Sequence, residues 1–254
     1  MNKYKDVFQR TEMKYLLSSE QYKKLMPYLA ELAEIDSYGD TAINNIYFDT
    51  PDFFLIRNSL EKPKYKEKLR LRTYGRTDDE TNAFAEIKKK YDGIVYKRRI
   101  SGSYKELLNY LIGVDDTVED SQIKREIDAM KHLYPSLRPA MKITYDRFAM
   151  IGKDDPDLRI TFDRNIRWST DRLDLRDETS GASLLGYGEY LMEIKVAEAM
   201  PIELAGILSE LSIFETSFSE FGKGYLEMQS RRAAVIAAAT RARMKFGKGV
   251  VAYA

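Results

Sequence analysis

Lysine and arginine recur at every second residue in stretches that are otherwise apolar, and no other feature narrows the folds open to this chain so far. Lys68, Arg70 and Arg72 alternate with Leu69 and Leu71. A β-strand turns successive side chains to opposite faces, so this spacing puts three cations on one face and the leucines on the other. The same alternation runs through Arg10, Glu12 and Lys14, through Glu86, Lys88 and Lys90, through Arg159, Thr161 and Asp163, and through Glu193 and Lys195. One such strand reads as the solvent side of an open antiparallel sheet. Five strands in which Lys and Arg dominate, with a carboxylate at several, predict a shared basic surface.

Period-two segments recur eight times, near residues 7–17, 43–49, 66–74, 83–90, 94–100, 139–148, 158–165 and 190–196. Eight strands suffice to close a small barrel. Helical patterns lie near 19–33, 103–112, 121–133, 201–212 and 221–246. Ser18 or Ser19 suits the cap of the first, and Pro201 the first turn of the fourth. Tyr91-Asp92-Gly93 predicts a hairpin turn, and Lys153 to Asp157 an exposed acidic loop. The expected fold is α+β, a closed eight-stranded antiparallel β-barrel decorated with helices. The 254 residues read as a single domain, with a core at about 7–230 and a C-terminal helix or tail at 231–254.

Composition removes whole classes of chemistry. The chain has no cysteine and one histidine, His132, so thiolate sites, His-based metal triads and a Ser-His-Asp relay are excluded or nearly so. A metal here must be a hard ion on carboxylates, Mg2+ or Mn2+. The 41 basic and 40 acidic residues leave a net charge of +1, so attraction for an anion must come from arrangement and not from excess charge. The N-terminus reads as neither signal nor transit peptide and no apolar run approaches a membrane span, which predicts a cytoplasmic protein without stable membrane insertion.

Were the charged faces to point into a barrel, the lumen would hold far more cations than carboxylates, and these would repel unless an anion and a metal filled the space. A linear phosphate chain has the required charge density; Arg forks suit its oxygens and Lys supplies point charges. Glu12, Glu86, Asp163 and Glu193 are the carboxylates such a metal would meet. No Walker-type or dinucleotide-type glycine loop occurs, and Gly222-Lys223-Gly224 lacks the preceding spacing, so side chains must do the work of a backbone cradle.

The segments RTEMKY, NNIYFDT, KEKLRLRTYG, AEIKKK, ITYDRFAM, LRITFDRNI, LMEIK and FSEFGKGY occur in the order found in VTC domains. Over about residues 7–230 the chain thus resembles the polyphosphate polymerase branch of the triphosphate tunnel metalloenzymes. The resemblance implies a metal-dependent transfer of the γ-phosphoryl of ATP to a growing polyphosphate chain. It implies Lys14, Arg70, Arg72, Lys88, Arg147, Lys195 and Lys223 as the cations that clamp phosphates, with Lys97, Arg99 and Tyr145 as further substrate contacts. Glu193 would be the principal metal ligand, helped by Glu12 and Asp163. Arg10 stands where the wider superfamily often has an acid, and Glu220 where relatives tend to carry a lysine.

The implied partners are ATP and polyphosphate or triphosphate. Nucleic acid is not expected, because the chain has no basic excess and no aromatic platform within its basic strands. A triphosphate or polyphosphate hydrolase of the same fold and a non-catalytic polyphosphate-binding module remain alternatives. His132 reads as a surface residue and Trp168 as packing. Arg231, Arg232, Arg241, Arg243, Lys245 and Lys248 read as a solvated helix face, since alanines and no bulky apolar stripe lie between them.

Overall fold

The computed structural model describes residues 11–92, 94–177, 181–197 and 199–247, with side chains as far as 241. Arg10, Gly93, Lys248 and the side chains of Arg243 and Lys245 lie outside the described residues.

The alternating segments form the strands β1 (Thr11–Leu17), β3 (Thr41–Asp49), β4 (Tyr65–Tyr74), β5 (Asn82–Tyr91), β6 (Ile94–Ser103), β7 (Arg138–Gly152), β8 (Arg159–Ser169) and β10 (Tyr190–Val196). Two short strands join them, β2 (Ala33–Ile35) on β7 and β9 (Ala182–Ser183) on β8. All pairings are antiparallel, in the order β1-β10-β8-β7-β3-β4-β5-β6.

Apolar residues on the outer face bind helices. Met192, Ile194, Ile160 and Phe162 pack against Leu25 and Leu29 of α1 (Ser19–Leu32) and Leu204 and Leu208 of α5 (Ile202–Glu210). Leu69, Leu71 and Ile87 pack against Tyr104 and Leu107 of α3 (Tyr104–Ile112) and Ile127 and Met130 of α4 (Gln122–Leu133). Ser18 caps α1 in a reciprocal box with Gln21, which satisfies two backbone donors at once.

The inner face holds two further helices, α2 (Phe54–Leu60) and α6 (Glu220–Gly247). Asp49, fully buried, accepts from the backbone N–H groups of Thr50, Leu55 and Ile56 at 2.8, 2.9 and 3.0 Å and so anchors the start of α2. Helix α6 begins against the sheet interior. Phe221 stacks on Tyr47 at 4.6 Å, and Tyr225 and Met228 join Ile43, Met141, Ile143 and Trp168 in a common cluster. Gly224 permits this approach, since a Cβ there would lie 2.6 Å from the Met141 sulfur. The Gly222-Lys223-Gly224 triplet thus serves helix packing.

Ser219 and Glu220, adjacent in sequence, touch Lys68 of β4 and Lys14 of β1 at 3.0 and 3.3 Å. Five strand spacings separate β1 from β4 in the sheet order, about 24 Å if the sheet were flat. The sheet therefore curls around the start of α6. It differs from the closed barrel expected, because among the described residues no ladder joins β1 to β6. The segment preceding α6 takes the edge of β1 instead: Thr216 N–H donates to the Lys14 carbonyl at 2.7 Å, and Glu215 bridges Tyr15. Among the described residues no helix is long and apolar enough to cross a membrane.

Phe221→Ala is expected to destabilise the fold by about 3–5 kcal/mol, the usual cost of deleting a buried aromatic ring. Ser18→Ala should cost about 1 kcal/mol. Urea unfolding monitored by circular dichroism measures both.

Candidate functional site

The strand register brings most of the residues singled out in the sequence onto the inner face, where they form three charge centres. At the first, Glu86 of β5 is buried and faces Arg70 across the ladder. Its carboxylate accepts from Arg70 Nε at 2.7 Å, lies 3.0 Å from Lys97 Nζ and stands 3.9 Å from Arg72 Nε. Burial alone would raise the pKa of Glu86, but Arg70, Arg72 and Lys97 outweigh it and bring it down to about 2 from an ordinary 4.5. The two arginines are themselves oriented by neutral groups. Arg70 donates to the Tyr47 hydroxyl at 3.1 Å, and Arg72 donates to Asn45 Oδ1 at 2.8 Å and the Tyr145 hydroxyl at 3.1 Å.

The second centre surrounds Lys14. Its ammonium lies 3.3 Å from Glu220, 3.4 Å from Glu193 and 3.9 Å from Glu12. Burial opposes the charge on Lys14, and the three carboxylates overcome it, holding the group above its ordinary value. Glu193 is also paired with Lys195 two residues on along β10. Lys195 and Lys14 together hold the Glu193 carboxyl far below the usual range despite its burial.

The third centre is a forked pair. Arg147 donates from Nε and Nη2 to the two oxygens of Asp163 at 2.5 and 2.7 Å, and its guanidinium lies 5.2 Å over the Tyr145 ring. Asp163, buried, has both oxygens committed to that arginine. Its place in the structure is therefore to orient Arg147.

Not every residue joins these centres. Lys88, on the same face, is within electrostatic reach of Glu12, Lys14, Arg70 and Glu193, and burial lowers its pKa. Arg99 lies 4.5 Å over the Phe84 ring at the β6 side, and Lys223 lies 5.1 Å over Phe218 in the first turn of α6. His132 is exposed in the last turn of α4. Trp168 is buried in the inner cluster with Arg231 5.2 Å over its ring, so packing accounts for it.

Glu220, Lys68, Asn45, Tyr47 and Thr161 have no role among the expectations drawn from the sequence. Glu220 supplies the nearest carboxylate to Lys14, and Lys68 donates to Ser219 at 3.0 Å. Asn45 and Tyr47 orient the arginines. Both lie in the segment NNIYFDT, at alternate positions of β3 facing the cations of β4; that spacing was the available signal. Thr161 belongs with them. It stands across the ladder from Glu193, and its buried hydroxyl has no hydrogen-bond partner among the described residues.

Among the described residues no three acidic or imidazole groups converge as a ready metal cage. A hard ion shared with phosphate oxygens needs only one or two carboxylates. Glu193 and Glu12, which flank Lys14 on one face beside the unsatisfied Thr161 hydroxyl, fit that smaller requirement. Asp163 is turned to Arg147 by both oxygens, so it would join such a site only by sharing them.

The centres set the pH dependence of stability. Burial pushes Lys68 down to about 8 from 10.5; Glu220 opposes the shift, and Lys88, Lys66 and Lys14 add to it. Lys97 is likewise brought to about 8 by burial and by Arg70 and Arg72, against Glu86. The unfolded chain keeps these protons to higher pH than the folded one, so stability rises between about pH 8 and 10.5. Lys68→Met should shrink that rise. At the acid end Glu220 and Glu86 are brought to about 2, so their contribution is full above about pH 4.5 and is lost as pH falls towards 2. Glu220→Gln should flatten that loss. Thermal melts across both windows read out the two effects.

The model of the VTC domain matches residues 9–229. Subunit 4 of the vacuolar transporter chaperone complex of Schizosaccharomyces pombe is 26% identical over 148 residues, a match covering 50% of this chain and 20% of that protein. A Bacillus halodurans protein named after adenylate cyclase superposes with a TM-score of 0.51 at 18% identity, over 82% of this chain and 92% of its own. A Hippeastrum protein, named as an adenylyl cyclase and reported with a dominant triphosphatase activity, gives 0.51 at 16% identity over 85% and 95%. These two likenesses concern the fold alone, a helix-decorated curled antiparallel sheet. With the match running through every strand that carries the three centres, the chain belongs to the VTC domain family.

Proposed function

We propose that this protein is a metal-dependent polyphosphate polymerase, an ATP-polyphosphate phosphotransferase that passes the γ-phosphoryl group of ATP to a chain lying in the basic groove. The observation that carries the reading is the charge arrangement on the inner face. Arg70, Arg72 and Lys97 converge on one carboxylate, Lys14 and Lys195 on another, and Arg147 stands fixed by Asp163. Cations prearranged in a partly enclosed space suit phosphoryl transfer, whose barrier is lowered chiefly by alignment and by stabilising charge on the transferring group and the leaving diphosphate.

In the proposed reaction a terminal oxygen of the chain forms a bond to the γ-phosphorus. The bond from that phosphorus to the β,γ-bridging oxygen breaks, and ADP leaves with the electron pair. Arg70 and Arg72 present planar donors to phosphate oxygens, and Lys97, Lys88 and Arg99 add charge beside them. Tyr145 and Tyr47 hold the arginine forks in place. Arg147 faces the same space from β7, and Lys223 contributes from α6. Glu193, with Glu12, would hold Mg2+ or Mn2+, which when bound neutralises phosphate charge. Asp163 acts through Arg147. Residues 1–254 are read as one unit, with the groove as its working part.

The test is incubation of the purified protein with ATP and Mn2+ followed by gel separation of products, with Glu193→Ala alongside. Long phosphate chains from the parent, reduced by at least about a hundredfold in the variant, are the expected result. Free phosphate without chains would assign a hydrolase instead. Tight polyphosphate binding with no turnover would reduce the protein to a binding module.

A further inference from the structure

The start of β4 and the end of β5, the ends away from the turn that joins these strands, carry cations that lie outside the three centres. The register sets Lys66 directly opposite Lys90, and Lys68 directly opposite Lys88. All four share the inner face with Arg70 and Glu86, two residues further along each strand. There the cross-strand pair is of opposite charge, whereas here two like-charged pairs follow one another, an arrangement that weakens a sheet.

Nearby acids do not resolve the conflict. Towards the centres, Lys68 feels Glu220 and Lys88 feels Glu12. Away from them, the Lys66 ammonium donates to the Ser59 carbonyl at 3.3 Å. Among the described residues the charges that act on it are cations: Lys90, Lys88 and Lys62. Burial and these three neighbours lower its pKa. The adjacent Glu67 and Lys89 point to the outer face, where Glu67 accepts from Tyr65 and Lys89 pairs with Glu126. This local cost on the inner face of two otherwise well-packed strands is not met by the described residues, and an added anion would relieve it.

We propose that Lys66, Lys68, Lys88 and Lys90 form a second anion subsite, which takes a run of phosphoryl groups from a linear polyphosphate beyond those held at the arginine centre. This rests on the polyphosphate reading and extends it to chain length. A triphosphate is held at the arginine centre with the adjoining Lys88; only a longer chain also reaches Lys66 and Lys90. The subsite thereby discriminates long chains from short ones, through point charges and not through planar forks.

The test measures binding of tripolyphosphate and of long-chain polyphosphate to the parent and to the Lys66→Gln/Lys90→Gln double variant, across a salt series and without ATP. Long-chain affinity should fall about tenfold or more in the variant, with a shallower salt dependence, as expected when two ammonium contacts are lost. Tripolyphosphate affinity should stay within about twofold, since its contacts lie at the arginine centre. Without ligand the variant should melt above the parent, because the like-charge pair is gone. Equal long-chain affinity in the two proteins, or a proportional loss for both ligands, overturns the subsite while leaving the polymerase reading intact. A parent that binds neither ligand overturns both.

Discussion

Ammonium and guanidinium groups on the inside of a curled sheet repel one another and lose water, and the packing of the outer face cannot offset that cost unless counter-charges stand among them. Everything on the inner face follows from this requirement. Glu86 serves three cations, Glu193 and Glu220 bracket Lys14, and Asp163 holds Arg147 by both oxygens. Compensation by fixed acids keeps the cations charged and in place. Truncating one partner of such a pair strands a buried charge, so the acids are as integral to the groove as the cations.

The position of these acids depends on elements remote from the sheet. Asp49 holds the first turn of α2, and Leu60 at the end of α2 packs within 3.1 Å of where a side chain on Gly222 would begin. Phe221 and Tyr225 fasten α6 to the inner cluster. The result fixes Ser219 and Glu220 between β1 and β4. A side-chain carboxylate capping α2 is thus linked, through two helices, to the place of the counter-ion of Lys14.

Much of this was legible in the sequence. The eight alternating segments became eight strands, with boundaries within a few residues in the described regions, because alternation against a helix-covered face leaves no freedom of register. Five of six helices followed from their periodicity. Helix α2 was not legible: seven residues are too short for a period, and its stability comes from Asp49 and from α6. Strands β2 and β9, with three and two residues, gave no pattern either. The three centres were visible as a list of charges but not as pairings. That Asp163 belongs to Arg147, or that Glu220 serves Lys14 from a helix more than two hundred residues away, depends on curvature and no local spacing encodes it. The open ladder was hidden for the same reason, since Thr216 takes the edge of β1 only once the chain has returned from α5.

Among the described residues that open ladder leaves β6 with one side unpaired, ten residues long and carrying exposed Ile94, Val95 and Tyr96. A long edge of this kind is a template for another strand, and charge is a common defence. Lys97, Arg98 and Arg99 supply it, directly after the apolar triplet. Solubility of the free edge and charge of the groove therefore draw on the same short run of residues, and whatever neutralises that run also lowers the barrier to edge-to-edge association.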